Sequence, residues 1–191
     1  MRLWFALVDR DWPQVKELIE KMKGGEDEGG SFAYGERNVP VSCYSILLAR
    51  LQEEQTGTNA GFAETREQLK QKVQKSPGSA DLLSQLAVAD ALLNNKETAI
   101  SEAKRAVELL PISKDAMDGP GIVMNLAVVY AWTNELDLAF ETLGPLITTP
   151  NGIFYGQLKR EPYWEPLRQD PRYEKLLTEL APRDGATANS Q

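Results

Sequence analysis

The side chains best able to carry chemistry are the thiol of Cys43 and the carboxylates of Asp81 and Asp90, which lie in one predicted helix. A thiol or a carboxylate becomes catalytic when a base, a second acid or a metal lies within reach. The chain contains no histidine, which excludes imidazole bases, the usual triads and most zinc sites. Neither carboxylate has a partner base or a metal ligand at a useful spacing, and Cys43 lies in an apolar helical run typical of a core. We therefore predict a non-enzyme with no catalytic residue, no cofactor and no metal site.

Composition limits the partners further. With 191 residues and 42% hydrophobic content, the chain can bury a sizeable core without a disulfide or a metal. A lone cysteine fits a reducing compartment. The net charge of −7 argues against binding to nucleic acid or to anionic membranes. The apolar run Leu3 to Val8 is too short for a signal peptide or a membrane span. These features predict a cytoplasmic protein with neither nucleic acid nor membrane as partner.

The helices that would position any site are predicted by a sequence pattern that occurs twice between residues 80 and 150. In the first copy, apolar and small residues follow a helical period over Asp81 to Leu93 and again over Lys96 to Leu110. The same offsets recur in the second copy, so each copy predicts two amphipathic helices that pack across a short turn. The recurring positions are Leu86 with Leu126, Ala87 with Ala127, and Ala99 with Ala139.

This pattern resembles the tetratricopeptide repeat, a helix-turn-helix unit of about 34 residues. Asp90 departs from the family pattern, which usually has a large apolar residue there, and Ala103 is smaller than usual. The sequence offset between the two copies is also longer than usual, because the segment around Ile112 to Gly119 contains extra residues. The resemblance implies an all-α, right-handed α-solenoid of antiparallel helix pairs. It rests on Leu83, Leu86, Ala87, Ala99, Ala106 and Pro111 in the first copy and on Val123, Leu126, Ala127, Tyr130, Ala139 and Leu143 in the second.

The remaining chain divides by composition. Residues 1–23 resemble a partial helix pair whose beginning is missing, which suggests a longer parent protein. Residues 24–40 form a glycine-rich, acidic segment, predicted to be a loop; alternatively, Phe32 and Tyr34 hold a ligand there. Residues 41–151 comprise the helix pairs, including a degenerate pair before Ser76. Residues 152–181 are a predicted cap, and residues 182–191 a disordered tail.

The cap ends in a helix whose start is marked by Asp170 and Pro171. It resembles the terminal segment of tetratricopeptide regions in large bacterial signalling proteins, which follows a kinase, an adenylate cyclase or a winged-helix domain. None of those domains is recognisable here, so the resemblance implies no activity. The matching residues are Pro162, Trp164, Pro166, Leu167, Asp170, Pro171, Arg172, Tyr173, Leu176 and Leu177.

In the family, the first helix of each pair lines a concave face that binds a peptide or protein. The groove implied here is apolar and suits a short helix or an extended peptide. Asn125 occupies a position that grips peptide carboxylates in some members, but the first helices of the two clear repeats contain no lysine or arginine, which argues against that use. The alternative is a structural spacer or self-association arm, whose concave face would be filled by the same chain or a second copy. The implied groove residues are Ile46, Arg50, Ser84, Val88, Leu92, Met124, Val128 and Trp132, with Glu53 extending the row.

Overall fold

A computed structural model describes residues 2–22, 41–51 and 59–182, and all secondary structure in these ranges is helical. The predicted loop at 24–40, the tail from 183 and Glu53 lie outside the described residues. Ten α-helices and one 3-10 helix follow in chain order: α1 Arg2–Val8, α2 Trp12–Met22, α3 Val41–Leu51, α4 Asn59–Lys75, α5 Ala80–Leu92, α6 Lys96–Leu109, α7 Gly119–Trp132, α8 Leu136–Leu146, α9 Tyr155–Arg160, the 3-10 helix Pro162–Leu167, and α10 Pro171–Leu180.

The two predicted copies form the helix pairs α5–α6 and α7–α8. Each pair turns at an asparagine with positive φ, Asn94 at 64° and Asn134 at 63°. Asparagine tolerates this left-handed conformation better than most residues, so the chain reverses within a short turn. The side chain of Ser79 begins α5 by accepting a hydrogen bond from the backbone N–H of Leu82, at 3.3 Å. Local sequence thus sets the ends of the repeated helices.

Two local irregularities mark the second helix pair. The segment between α6 and α7 contains turns, and α7 starts at Gly119, where a Cβ would lie only 2.9 Å from the backbone of Ile112. A side chain at this position would push the connector away from α7. Pro145 lies in the last turn of α8, which ends one residue later, as expected of a residue that cannot continue the hydrogen-bond ladder.

One continuous core joins α3 through α8 to the C-terminal segments. Small residues lie where α5 and α6 meet, and Ala87, Ala99 and Ala103 are all buried. The helices can therefore approach closely and exclude water from their contact. The N-terminal pair α1–α2 has its own small cluster, which Leu48 of α3 joins. No described helix is long and apolar enough to cross a membrane.

The C-terminal segments pack against the last helix pair. Trp164 and Leu167 are fully buried. The side chain of Asp170 accepts a hydrogen bond from the backbone N–H of Arg172 and so begins α10. Tyr173 of α10 donates its hydroxyl to the carbonyl of Leu158 in α9, at 2.5 Å. These contacts fix the cap against the last helix pair.

Candidate functional site: the first-helix row

The eight predicted groove residues lie on α3, α5 and α7, and we call this set the first-helix row. Arg50 is exposed and Trp132 is half-buried, while Val88 and Val128 have no exposed surface. Most of the row is therefore interior in the described part of the chain. The buried members are Ile46, Ser84, Val88, Leu92, Met124 and Val128.

The 3-10 helix lies against the Trp132 end of the row. The indole N–H of Trp132 donates a hydrogen bond to the backbone carbonyl of Tyr163, at 2.9 Å. The rings of Tyr163 and of Tyr44 in α3 form a T-shaped pair, with centroids 5.7 Å apart and an angle of 61° between the ring planes. The guanidinium of Arg50 lies 5.6 Å from the Trp132 ring centre, within cation–π range. Aromatic and cationic contacts thus join α3, α7 and the cap.

The N-terminal helix pair also reaches the cap. Arg10, in the turn between α1 and α2, forms an ion pair with Glu165 of the 3-10 helix at 2.7 Å. Arg168 pairs with the same carboxylate at 3.0 Å. Exposed ion pairs of this kind contribute little free energy, so their significance is positional. The Arg10–Glu165 pair shows that the turn between α1 and α2 lies against the 3-10 helix.

The opposite end of the row is polar. The amide nitrogen of Asn125 in α7 donates to the hydroxyl oxygen of Ser84 in α5, at 3.1 Å, and that hydroxyl donates to the carbonyl of Asp81 at 2.9 Å. Asn125 is only 2% exposed, yet its side-chain oxygen accepts no hydrogen bond from any described residue. A buried acceptor without a donor costs free energy, so this atom could receive a donor from a water or a ligand.

A second polar cluster lies on the far side of α5, and sequence reasoning missed it. Asp90 is completely buried and forms a two-bond ion pair with Arg66 of α4, whose Nε and Nη2 lie 2.5 and 3.1 Å from the two carboxylate oxygens. Asn95 donates its amide to the same carboxylate at 2.6 Å. Arg66 is thus the partner that spacing along the sequence could not indicate. It neutralises Asp90 but is no base at ordinary pH.

Glu102 of α6 completes this cluster. Burial raises the pKa of Glu102 to about 7, and the charge of Asp90 and a hydrogen bond to it act in the same direction. Arg66 and Lys70 oppose this rise because their positive charges favour the carboxylate. We refer to Arg66, Asp90, Asn95 and Glu102 as the α4–α6 polar cluster.

The other candidates for chemistry are held in structural contacts. Burial raises the pKa of the Cys43 thiol to about 12, so the thiol stays protonated and unreactive at neutral pH. The carboxylate of Asp81 accepts a hydrogen bond from Gln85 at 2.8 Å. Within residues 2–22, 41–51 and 59–182, no three histidine, cysteine or acidic side chains are grouped so that they could bind a metal.

No family model, curated protein or solved structure matches the chain significantly.

Proposed function

We propose that α5–α6 and α7–α8 are tetratricopeptide-type repeats of a right-handed α-solenoid, and that the chain is a non-catalytic structural arm of a larger bacterial signalling protein. In this proposal the first-helix row binds the chain's own ends instead of a partner. The chain then acts as a spacer or as a self-association arm. The repeat assignment is supported by the offset of forty residues, which places Asn94 and Asn134 at corresponding turns.

The observation that carries the structural role is the burial of the row by the same chain. Met124 and Val128, at its centre, have no exposed surface. A partner peptide would have to displace neighbouring segments before reaching these side chains. Displacement of the cap would expose the fully buried Trp164, and exposing a large aromatic side chain costs several kcal/mol, on the order of 3. This cost favours a closed row in the absence of a partner.

The second candidate is the interaction module implied by the resemblance, which binds a peptide or protein on this face. The unpartnered oxygen of Asn125 favours it, because a peptide N–H could supply the missing donor. The exposed Arg50 beside Trp132 adds a polar rim to the other end of the row. Binding at Ser84 and Asn125 would then require the row to open.

The two candidates differ in whether solvent reaches the row, which thiol labelling measures. Val128→Cys places a small reporter at the centre of the row, and Leu138→Cys places a matched one on α8, where Leu138 is 37% exposed. The native Cys43 is buried and gives an internal baseline. Each variant is reacted with a maleimide under native conditions, and circular dichroism checks that its helices are retained.

A closed row predicts that Val128→Cys reacts as slowly as Cys43, while Leu138→Cys reacts quickly. Equal, fast labelling of both variants would contradict the structural proposal and favour the binding module. Light scattering then separates the two structural roles, since a spacer is a monomer and a self-association arm is a dimer. A dimer that Trp132→Asp splits would identify the row as the dimer contact.

A further inference from the structure

The α4–α6 polar cluster contains more acid than base. Arg66 supplies one positive charge and Asn95 one neutral donor, and Asp90 accepts hydrogen bonds from both. Glu102 brings a second carboxyl group to the same place. One of its oxygens, Oε2, is buried and receives no hydrogen bond from any described residue. An ionised Glu102 would therefore place its negative charge beside that of Asp90, and its own Oε2 would remain unsolvated.

A proton removes this conflict. A protonated Glu102 is neutral and can donate a hydrogen bond to the Asp90 carboxylate, which then balances the single charge of Arg66. Carboxyl groups that share a site in this way hold a proton well above the ordinary range. We propose that Glu102 holds a proton that it donates to the Asp90 carboxylate, and that this proton makes the packing of α6 against α5 and α4 sensitive to pH.

The charged groups around Glu102 agree with this assignment. Asp90 of α5 raises the pKa of Glu102, while Arg66 and Lys70 of α4 lower it, and burial adds to the rise. The neighbouring α7 contains no charged residue that could compensate. On α6 itself, Arg105 lies one turn away and is paired with Glu108 at 2.9 Å. Lys70 is exposed, so solvent weakens its effect on Glu102.

The sign of the pH effect follows from linkage. A glutamate in an unfolded chain binds its proton near pH 4.5, whereas the folded site binds it near pH 7. The folded state therefore holds a proton that the unfolded chain has released, and stability falls as pH rises through this window. Glu102 is partly exposed, so water reduces the full effect. We expect the site to make the folding equilibrium constant about tenfold smaller at pH 8 than at pH 5.5.

Two measurements test the proposal on the full chain. The first follows the side-chain carboxyl carbons of ¹³C-labelled glutamates by NMR from pH 4 to 9, with Glu102 assigned from its loss in Glu102→Gln. The second measures urea unfolding at pH 5.5 and pH 8 for wild type, Glu102→Gln and Glu97→Gln. Glutamine keeps a donor for Asp90 but does not titrate, and Glu97→Gln removes the same charge from the exposed first turn of α6.

The proposal requires Glu102 to titrate near pH 7 and Glu102→Gln to lose about a tenfold pH dependence that Glu97→Gln retains. A Glu102 titration in the ordinary range near 4.5 would overturn it. So would a Glu102→Gln variant with the full pH dependence of the wild type. The NMR titration uses wild-type protein, so it decides the matter even where a variant folds poorly.

Discussion

At corresponding positions of the two helix pairs, α5 contains Asp90 and α7 contains Tyr130, forty residues later. The second helices of the two pairs also differ in side-chain size, because Ala103 of α6 corresponds to Leu143 of α8. All four residues are buried. The second pair fills this space with two large side chains. The first fills it with a charged side chain and a small one, which leaves room for Arg66 to enter from α4.

This difference indicates what determines which helix packs against each pair. Apolar packing in α7–α8 tolerates any neighbour of suitable shape, whereas Asp90 requires a cation at one position. A buried ion pair adds little net stability but makes the loss of one partner costly. We infer that the α4–α6 polar cluster favours the packing of α4 against α5 over other neighbours. Apolar volume, rather than charge, holds α7–α8 together.

The largest expected effect is loss of apolar volume in the second pair. Leu143 is fully buried between α7 and α8. Leu143→Ala should lower the free energy of unfolding by about 3–4 kcal/mol, because it removes buried carbon and leaves a cavity. Urea unfolding at pH 5.5 and pH 8 should give the same loss. A loss below about 1 kcal/mol, or one that depends strongly on pH, would show that packing does not dominate this pair.

A smaller loss is expected when the ion pair of the first helix pair is broken from one side. Arg66→Met keeps the length of the side chain but leaves the buried Asp90 without its cation. Breaking a fully buried pair costs about 3–5 kcal/mol. Because Arg66 is partly exposed and water can reach the gap, we expect about 2–3 kcal/mol. Urea unfolding measures this loss, and a loss below about 1 kcal/mol would contradict the need of the buried Asp90 for its cation.

The smallest effect is expected when both charges are removed. Asp90→Leu combined with Arg66→Met makes the first pair chemically similar to the second. Replacing a buried ion pair with apolar residues is often nearly neutral. The double variant should therefore lie within about 1 kcal/mol of the wild type and be more stable than Arg66→Met alone. A double variant less stable than Arg66→Met would mean that Asp90 contributes through contacts other than this ion pair.

Most of the helical framework could be predicted because its signals are local. Asp170 with Pro171 marks the start of α10, whatever surrounds it. The repeated offset of small residues likewise predicts two equivalent helix pairs. These signals depend on neighbours three or four residues away, which periodicity detects directly.

The site could be predicted only in part, because periodicity identifies a face but not what covers it. Val128 and Trp132 lie four residues apart on α7, a spacing that places them on one face, while the contact between Trp132 and Tyr163 joins residues far apart in sequence. Arg66 and Glu102 belong to no local sequence pattern that links them to Asp90. Only the fold brings them to Asp90, across 24 residues in the case of Arg66.

A closed first-helix row requires that the cap cover the Trp132 end of the row in solution. The indole proton of Trp132 reports this contact, because it is donated to the backbone carbonyl of Tyr163. Its exchange with D₂O can be followed by NMR on protein with ¹⁵N-labelled tryptophan, assigned with Trp132→Phe. A covered row predicts exchange at least about tenfold slower than in the urea-unfolded chain. Exchange at the unfolded rate would show that the cap does not hold this end of the row closed, and would contradict the central claim.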